Sequence, residues 1–123
     1  MAPEGAFLRA PTHPRAYGSF ARVLGHYVRD QKVLPLADAI HRMSGLPAAT
    51  LGLPGRGVLR EGAYADIVVF DPATVTDRAT FADPHQLSAG VTEVLVNGKV
   101  TISGGAFTGK LAGRALAGPG ARR

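Results

Sequence analysis

The 123-residue sequence has no cysteine and no tryptophan. Without cysteine there are no disulfides, no thiolate nucleophile and no metal centre built on sulfur. Long hydrophobic runs are missing too: none approaches the roughly twenty residues that cross a bilayer, so no membrane role is expected. Met1 to Ala10 lacks the basic start and apolar stretch of a signal peptide, and a cytoplasmic location is the expectation. Basic clusters are scarce despite a net charge of +5. Arg9, Arg15, Arg22, Arg29, Arg42, Arg56, Arg60, Arg78 and Arg114 stand singly, and only Arg122 and Arg123 adjoin. No aromatic residues interleave with them as a base-stacking platform, which argues against a nucleic-acid partner.

What is present is globular in character: 46% hydrophobic residues, 19% charged, sixteen glycines and nine prolines. That glycine and proline content predicts many turns. Residues 1 to about 16 read as irregular, because Pro3, Pro11 and Pro14 interrupt them. From 17 to about 53 the pattern is helical. Phe20, Val23, Leu24, Tyr27 and Val28 fall on one face, with Ser19 as N-cap. A second helix follows Pro35, carrying Leu36, Ile40 and Met43 on a stripe, Asp38 in its first turn and Gly45 at its stop. Leu46 to Gly52 reads as a short third helix.

After Pro54-Gly55 the texture becomes β. Val58-Leu59 begins a strand that Glu61-Gly62 interrupts. Ile67 to Phe70 is apolar at every position and is expected to be covered on both faces. Val91 to Val96 is the next strand. Asn97-Gly98 suits a type I′ hairpin, since both residues tolerate positive φ, and Lys99 to Ile102 returns antiparallel. Residues 109 to 123, rich in glycine, alanine and arginine, read as irregular with a flexible end. A few helices and short strands offer each other little burial, so the chain reads as a piece of something larger or a protomer completed by another chain.

Several segments carry a resemblance. They are His13-Pro14-Arg15 through Phe20, Arg22-Val23-Leu24-Gly25, Ala39 to Ala48, Gly62 to Pro72, Asp83-Pro84-His85-Gln86 and Val94 to Gly98. The two strands alone resemble the closing β-domain of metal-dependent amidohydrolases, including hydantoinases, dihydroorotases and imidazolonepropionases. With the His-Pro-Arg and Pro-His-Gln segments, the set resembles the C-terminal part of N-acyl-D-amino-acid deacylases, over residues 4 to 116. The resemblance implies an α+β chain: a helical remnant of a (β/α)8 barrel over 1–53, a small antiparallel β-sandwich over 54–117, and a tail over 118–123. It also implies a parent hydrolase that splits N-acyl-D-amino acids into a carboxylate and a D-amino acid, with zinc as cofactor. The zinc ligands of that family come from earlier barrel strands, so no metal is expected on this chain alone. The isolated chain is expected to be inactive.

Two residues inherit roles from the resemblance. Counting back from Arg15 places Glu4-Gly5 where the family has the Asp-Gly of its catalytic base, the carboxylate lying one methylene further out. Glu4 reads either as that base or as an N-terminal residue with no role. Arg15 takes the position of the arginine that binds the substrate carboxylate, a task for a planar bidentate donor; its alternative is a surface arginine in a proline-rich loop. His26, which could pair with Asp30, and His41 read as structural or surface residues, and His85 as a loop tie. Asp66 is a strand-edge residue accepting turn hydrogen bonds, and Asp71 a stop before Pro72. Gly52 to Gly57 lacks a lysine-serine step and is not a phosphate loop. The alternative to an enzyme segment is a non-catalytic β-module, either a homo-oligomer or the complement of a separate barrel chain.

Overall fold

Pro14, at φ −50° and ψ −29°, starts the first helix of the computed structural model, which describes residues 12–118. The fixed φ of proline suits a helix start, where no amide donor is needed. Helix α1 spans Arg15–Arg22 and runs directly into a π-helical segment, Val23–Asp30, closed by the Gln31 amide donating to His26 O five residues back at 2.9 Å. Ser19 is therefore inside α1 and does not cap it: its hydroxyl donates to Arg15 O at 2.8 Å. The expected apolar face is only partly enclosed, with Val23, Leu24 and Val28 half-buried. Phe20 and Tyr27 are exposed, while the small residues Gly18, Ala21 and Gly25 are buried.

Those small residues are the reason the helix packs as it does. A Cβ on Gly25 would lie 2.5 Å from Val75 O, and one on Gly18 would lie 2.8 Å from Asp77 Cβ. The segment around Val75 thus meets the helix backbone directly. Gly90, at φ +83°, also lets the chain approach Val75 closely, since a Cβ there would lie 2.4 Å from Val75 Cα. Val75 is 1% exposed, the one large side chain so fully enclosed among the described residues. Arg29 adds a polar clasp, donating to Val75 O at 2.7 Å. A bridge between Thr76 and Ala89 completes this unit, which takes the described residues up to Leu36 together with Phe70–Val91.

The second unit holds Ala37–Val69 and the described residues from Thr92 onward. Helix α2 (Leu36–Met43) leads into it, with Asp38 in the first turn as anticipated. Its buried residue is Ala39, whereas Leu36 and Ile40 are exposed. Gly45 does not stop α2. Ser44 breaks the chain there, at φ −131° and ψ −75°, and Gly45 opens helix α3 (Gly45–Thr50). Gly52, at φ +62°, turns the chain beyond α3. Ala48 of α3 packs against Gly57, where a Cβ would come within 2.6 Å of the Ala48 methyl.

A four-stranded sheet follows in the order β1 (Ile67–Phe70), β2 (Val91–Val96), β3 (Lys99–Ser103), β4 (Ala106–Phe107). The β2–β3 and β3–β4 pairs are antiparallel. Asn97 and Gly98 form the hairpin with φ of 49° and 77°, both positive, as the sequence requires. Helices and sheet together make the α+β composition anticipated. Two strand expectations fail. Val58 and Leu59 form no strand and lie exposed. Ile67 to Phe70 is not fully covered on both faces: at the edge of the sheet Val68 is 55% and Val69 46% exposed. No described helix is long and apolar enough to cross a membrane.

Candidate functional site

His13 and Pro14 shape the start of α1, and Arg15 is its first residue. The Arg15 amide donates to His13 Nδ1 at 3.1 Å, and Gly18 N–H closes the first turn onto Pro14 O at 3.1 Å. Arg15, Ser19 and Arg22 then recur at helical spacing and share a face. Opposite them the chain runs Asp77, Ala79, Thr80 and Phe81, drawn close because Gly18 has no side chain to hold Asp77 off. Between the two walls is a cleft of about 410 Å³, lined by these residues with His13 and Pro14.

The two arginines differ. Arg22 donates to Asp77 Oδ2 at 3.1 Å, and this hydrogen bond, followed by one with Tyr27, holds its guanidinium above the ordinary value. Arg15 is exposed, and its guanidinium has no hydrogen-bonding or ionic partner among the described residues. Phe81 forms an apolar lip, its ring edge-on to His13 with centroids 5.0 Å apart. One bidentate cation beside an apolar wall is chemistry for a carboxylate attached to an apolar group. Sequence reasoning singled out Arg15 but missed Arg22, Asp77 and Phe81. The seven-residue step from Arg15 marked Arg22; nothing local marked the other two.

Other expectations find their places. His85 hydrogen-bonds Tyr17 Oη through Nδ1 at 3.1 Å, with the rings edge to face, and so ties its loop to α1. His26 pairs with Gln31, its ring Nε2 3.0 Å from Gln31 Nε2, instead of with Asp30, which Arg29 engages at 2.8 Å. Asp71 accepts from Ala73 N–H at 2.9 Å and the Thr74 hydroxyl at 2.8 Å, and these bonds, the amide first, lower its pKa. Asp66 accepts the turn amide of Asn97 at 2.8 Å, as a strand-edge carboxylate should, and also binds Arg56. The Asn97 amide foremost, then Arg56, hold the Asp66 carboxyl below its ordinary value. Arg56 further reaches Asn97 Oδ1 at 2.8 Å and lies 4.3 Å from the centre of the Tyr64 ring. Glu4 lies outside the described residues, as does most of the 118–123 tail.

A metal does not fit the described residues. Among them no three His, Asp or Glu side chains converge to hold an ion, and the sequence has no cysteine.

The amidohydrolase family model matches residues 10–102. The chain belongs to that family. It is 55% identical over 105 residues to a D-aminoacylase of Alcaligenes xylosoxydans xylosoxydans, a match covering 85% of this chain and 22% of that protein. A D-aminoacylase crystal structure superposes with a TM-score of 0.84 at 52% identity, over 86% of this chain and 22% of that one. The N-acyl-D-glutamate deacylase of Bordetella bronchiseptica, solved with zinc and a phosphonate mimic of the tetrahedral intermediate, matches with a TM-score of 0.74. It shares 53% identity over 75% of this chain and 19% of its own. This amidohydrolase chain therefore spans about a fifth of the length of these relatives.

Proposed function

We propose that the chain is the substrate-anchoring segment of a deacylase acting on N-acyl-D-amino acids, with Arg15 gripping the substrate carboxylate. The observation that carries this is the Arg15 guanidinium, without a partner among the described residues, lining a cleft that also holds the apolar ring of Phe81. The similarity to D-aminoacylase supports the substrate class. Glu4 is assigned proton transfer in the assembled enzyme. Because the described residues include no donor set for zinc, no metal-dependent step is assigned to them. In this reading α1 to α3 are barrel-derived, the four strands are one layer of a β-sandwich, and the division falls near residues 53 and 117.

The chain co-expressed with a D-aminoacylase lacking its matching segment tests the proposal. Hydrolysis of N-acetyl-D-leucine returns with the unaltered chain. With Arg15→Ala it falls at least about tenfold, the weight of a hydrogen bond to a charged group. With Glu4→Gln it falls about 100-fold or more. Restoration that is indifferent to Arg15 would sink the anchoring role.

A second reading, a non-catalytic module that self-associates through its sheet, is favoured by the bare valines of β1. Light scattering separates the two: a concentration-dependent dimer that Val68→Glu dissolves belongs to the second.

A further inference from the structure

Arg15 and Arg22 are seven residues apart on α1 and line the same cleft, yet among the described residues Arg22 has a partner for its guanidinium and Arg15 has none. Arg22 is held by Asp77, whose side chain is 14% exposed against 50% for the arginine. Gly18 lets Asp77 approach α1 closely, since a Cβ there would lie 2.8 Å from Asp77 Cβ. Among the described residues that line the cleft, the formal charges are two guanidiniums and one carboxylate, a surplus of one positive charge. A ligand with a single carboxylate matches that surplus. A second carboxylate would find Arg22 taken and would meet Asp77, a like charge in a confined space. The remaining wall, Ala79 and the lip of Phe81, suits an uncharged group.

We propose that Asp77 is a specificity-determining residue: by occupying Arg22 it restricts the cleft to N-acyl amino acids with an uncharged side chain and excludes those bearing a second carboxylate. This rests on the reading of Arg15 as the carboxylate anchor. Overall similarity does not choose between the two ligand classes. A D-aminoacylase and an N-acyl-D-glutamate deacylase are 52% and 53% identical to the chain. The local charge arrangement does choose.

The test is an NMR titration of the whole 123-residue chain with two probes, N-acetyl-D-leucine and N-acetyl-D-glutamate. The unaltered chain binds the leucine probe at least about tenfold more tightly. Asp77→Asn keeps the shape, frees Arg22 and shrinks that ratio by about tenfold. Adding Arg22→Gln to Asp77→Asn removes the freed cation, and the preference for the leucine probe returns. If Asp77→Asn does not fold, Arg22→Gln alone asks the same question. It leaves Asp77 facing the ligand without its partner, and the preference must widen. A ratio unmoved by Asp77→Asn, or by Arg22→Gln, overturns the role of Asp77 while leaving Arg15 standing. An Arg15→Ala chain that binds both probes as before overturns the anchor, and this proposal with it.

Discussion

Asp66 shows how much a single side chain can hold in this chain. It fixes the hairpin amide of Asn97 and pairs with Arg56, which in turn bonds the Asn97 side chain and stacks on Tyr64. Asn97 passes the link on, donating from Nδ2 to Ala112 O at 2.7 Å, and Arg114 lies 4.5 Å from the same Tyr64 ring. Because its carboxyl is held below the ordinary value of 3.8, the folded chain takes up a proton there less readily than the unfolded chain. The stabilisation is complete above that ordinary value and drains away as pH falls through the lower folded one. Asp66→Asn therefore costs about 1 kcal/mol at neutral pH, a figure reduced for solvent screening, and flattens the loss of stability on acidification. Urea titrations of both chains at pH 7 and pH 3 check this. Equal acid sensitivity would show that the carboxylate does not carry the effect. The sequence marks Asp66 as a strand-edge residue accepting turn hydrogen bonds, but not that the turn is the distant hairpin at Asn97. Arg56 was not legible, because it sits in a loop with no periodicity and only the fold brings it to Asp66.

Among the elements, the helix of residues 15–30 is held by absent side chains. Gly18 and Gly25 let the 75–77 segment approach its backbone, and Gly90 likewise comes close to Val75. Gly25→Ala forces a methyl against Val75 O and should cost about 1–3 kcal/mol, as overpacking does. Gly113→Ala meets nothing within 4 Å and has no positive φ. It should leave stability unchanged or raise it by up to about 1 kcal/mol. Thermal melts of the two variants decide it, and equal Tm values would contradict the backbone contact. The same seam explains which elements could be read in advance. Helix α2 and the β2–β3 hairpin follow from local signals: Pro35 with Asp38, and Asn97 with Gly98. The burial pattern does not. Periodicity points to Phe20, Leu36 and Ile40 as the core, yet Ala21, Ala39 and Ala48 are the residues enclosed. A regular apolar stripe says which face seeks cover, not whether the cover lies on the same chain.

Across the described residues, the enclosed hydrophobic side chains are four alanines and one valine, while Leu59, Phe81, Leu87 and Leu111 are largely exposed. Burying each large side chain elsewhere would contribute about 1.5–3 kcal/mol, and a soluble domain rarely forgoes so much. These side chains remain exposed in a chain that matches about a fifth of the length of its relatives. The metal chemistry follows the same division: the described residues offer an exposed arginine in a cleft, the proposed carboxylate anchor, and no group of three His, Asp or Glu side chains that could hold zinc. The measurement that tests this most directly is made on the purified 123-residue chain, refolded with excess zinc and dialysed. Its zinc content is determined together with its hydrolysis of N-acetyl-D-leucine. The account predicts well below one zinc per chain and no turnover. One zinc per chain with turnover that a chelator abolishes would contradict it.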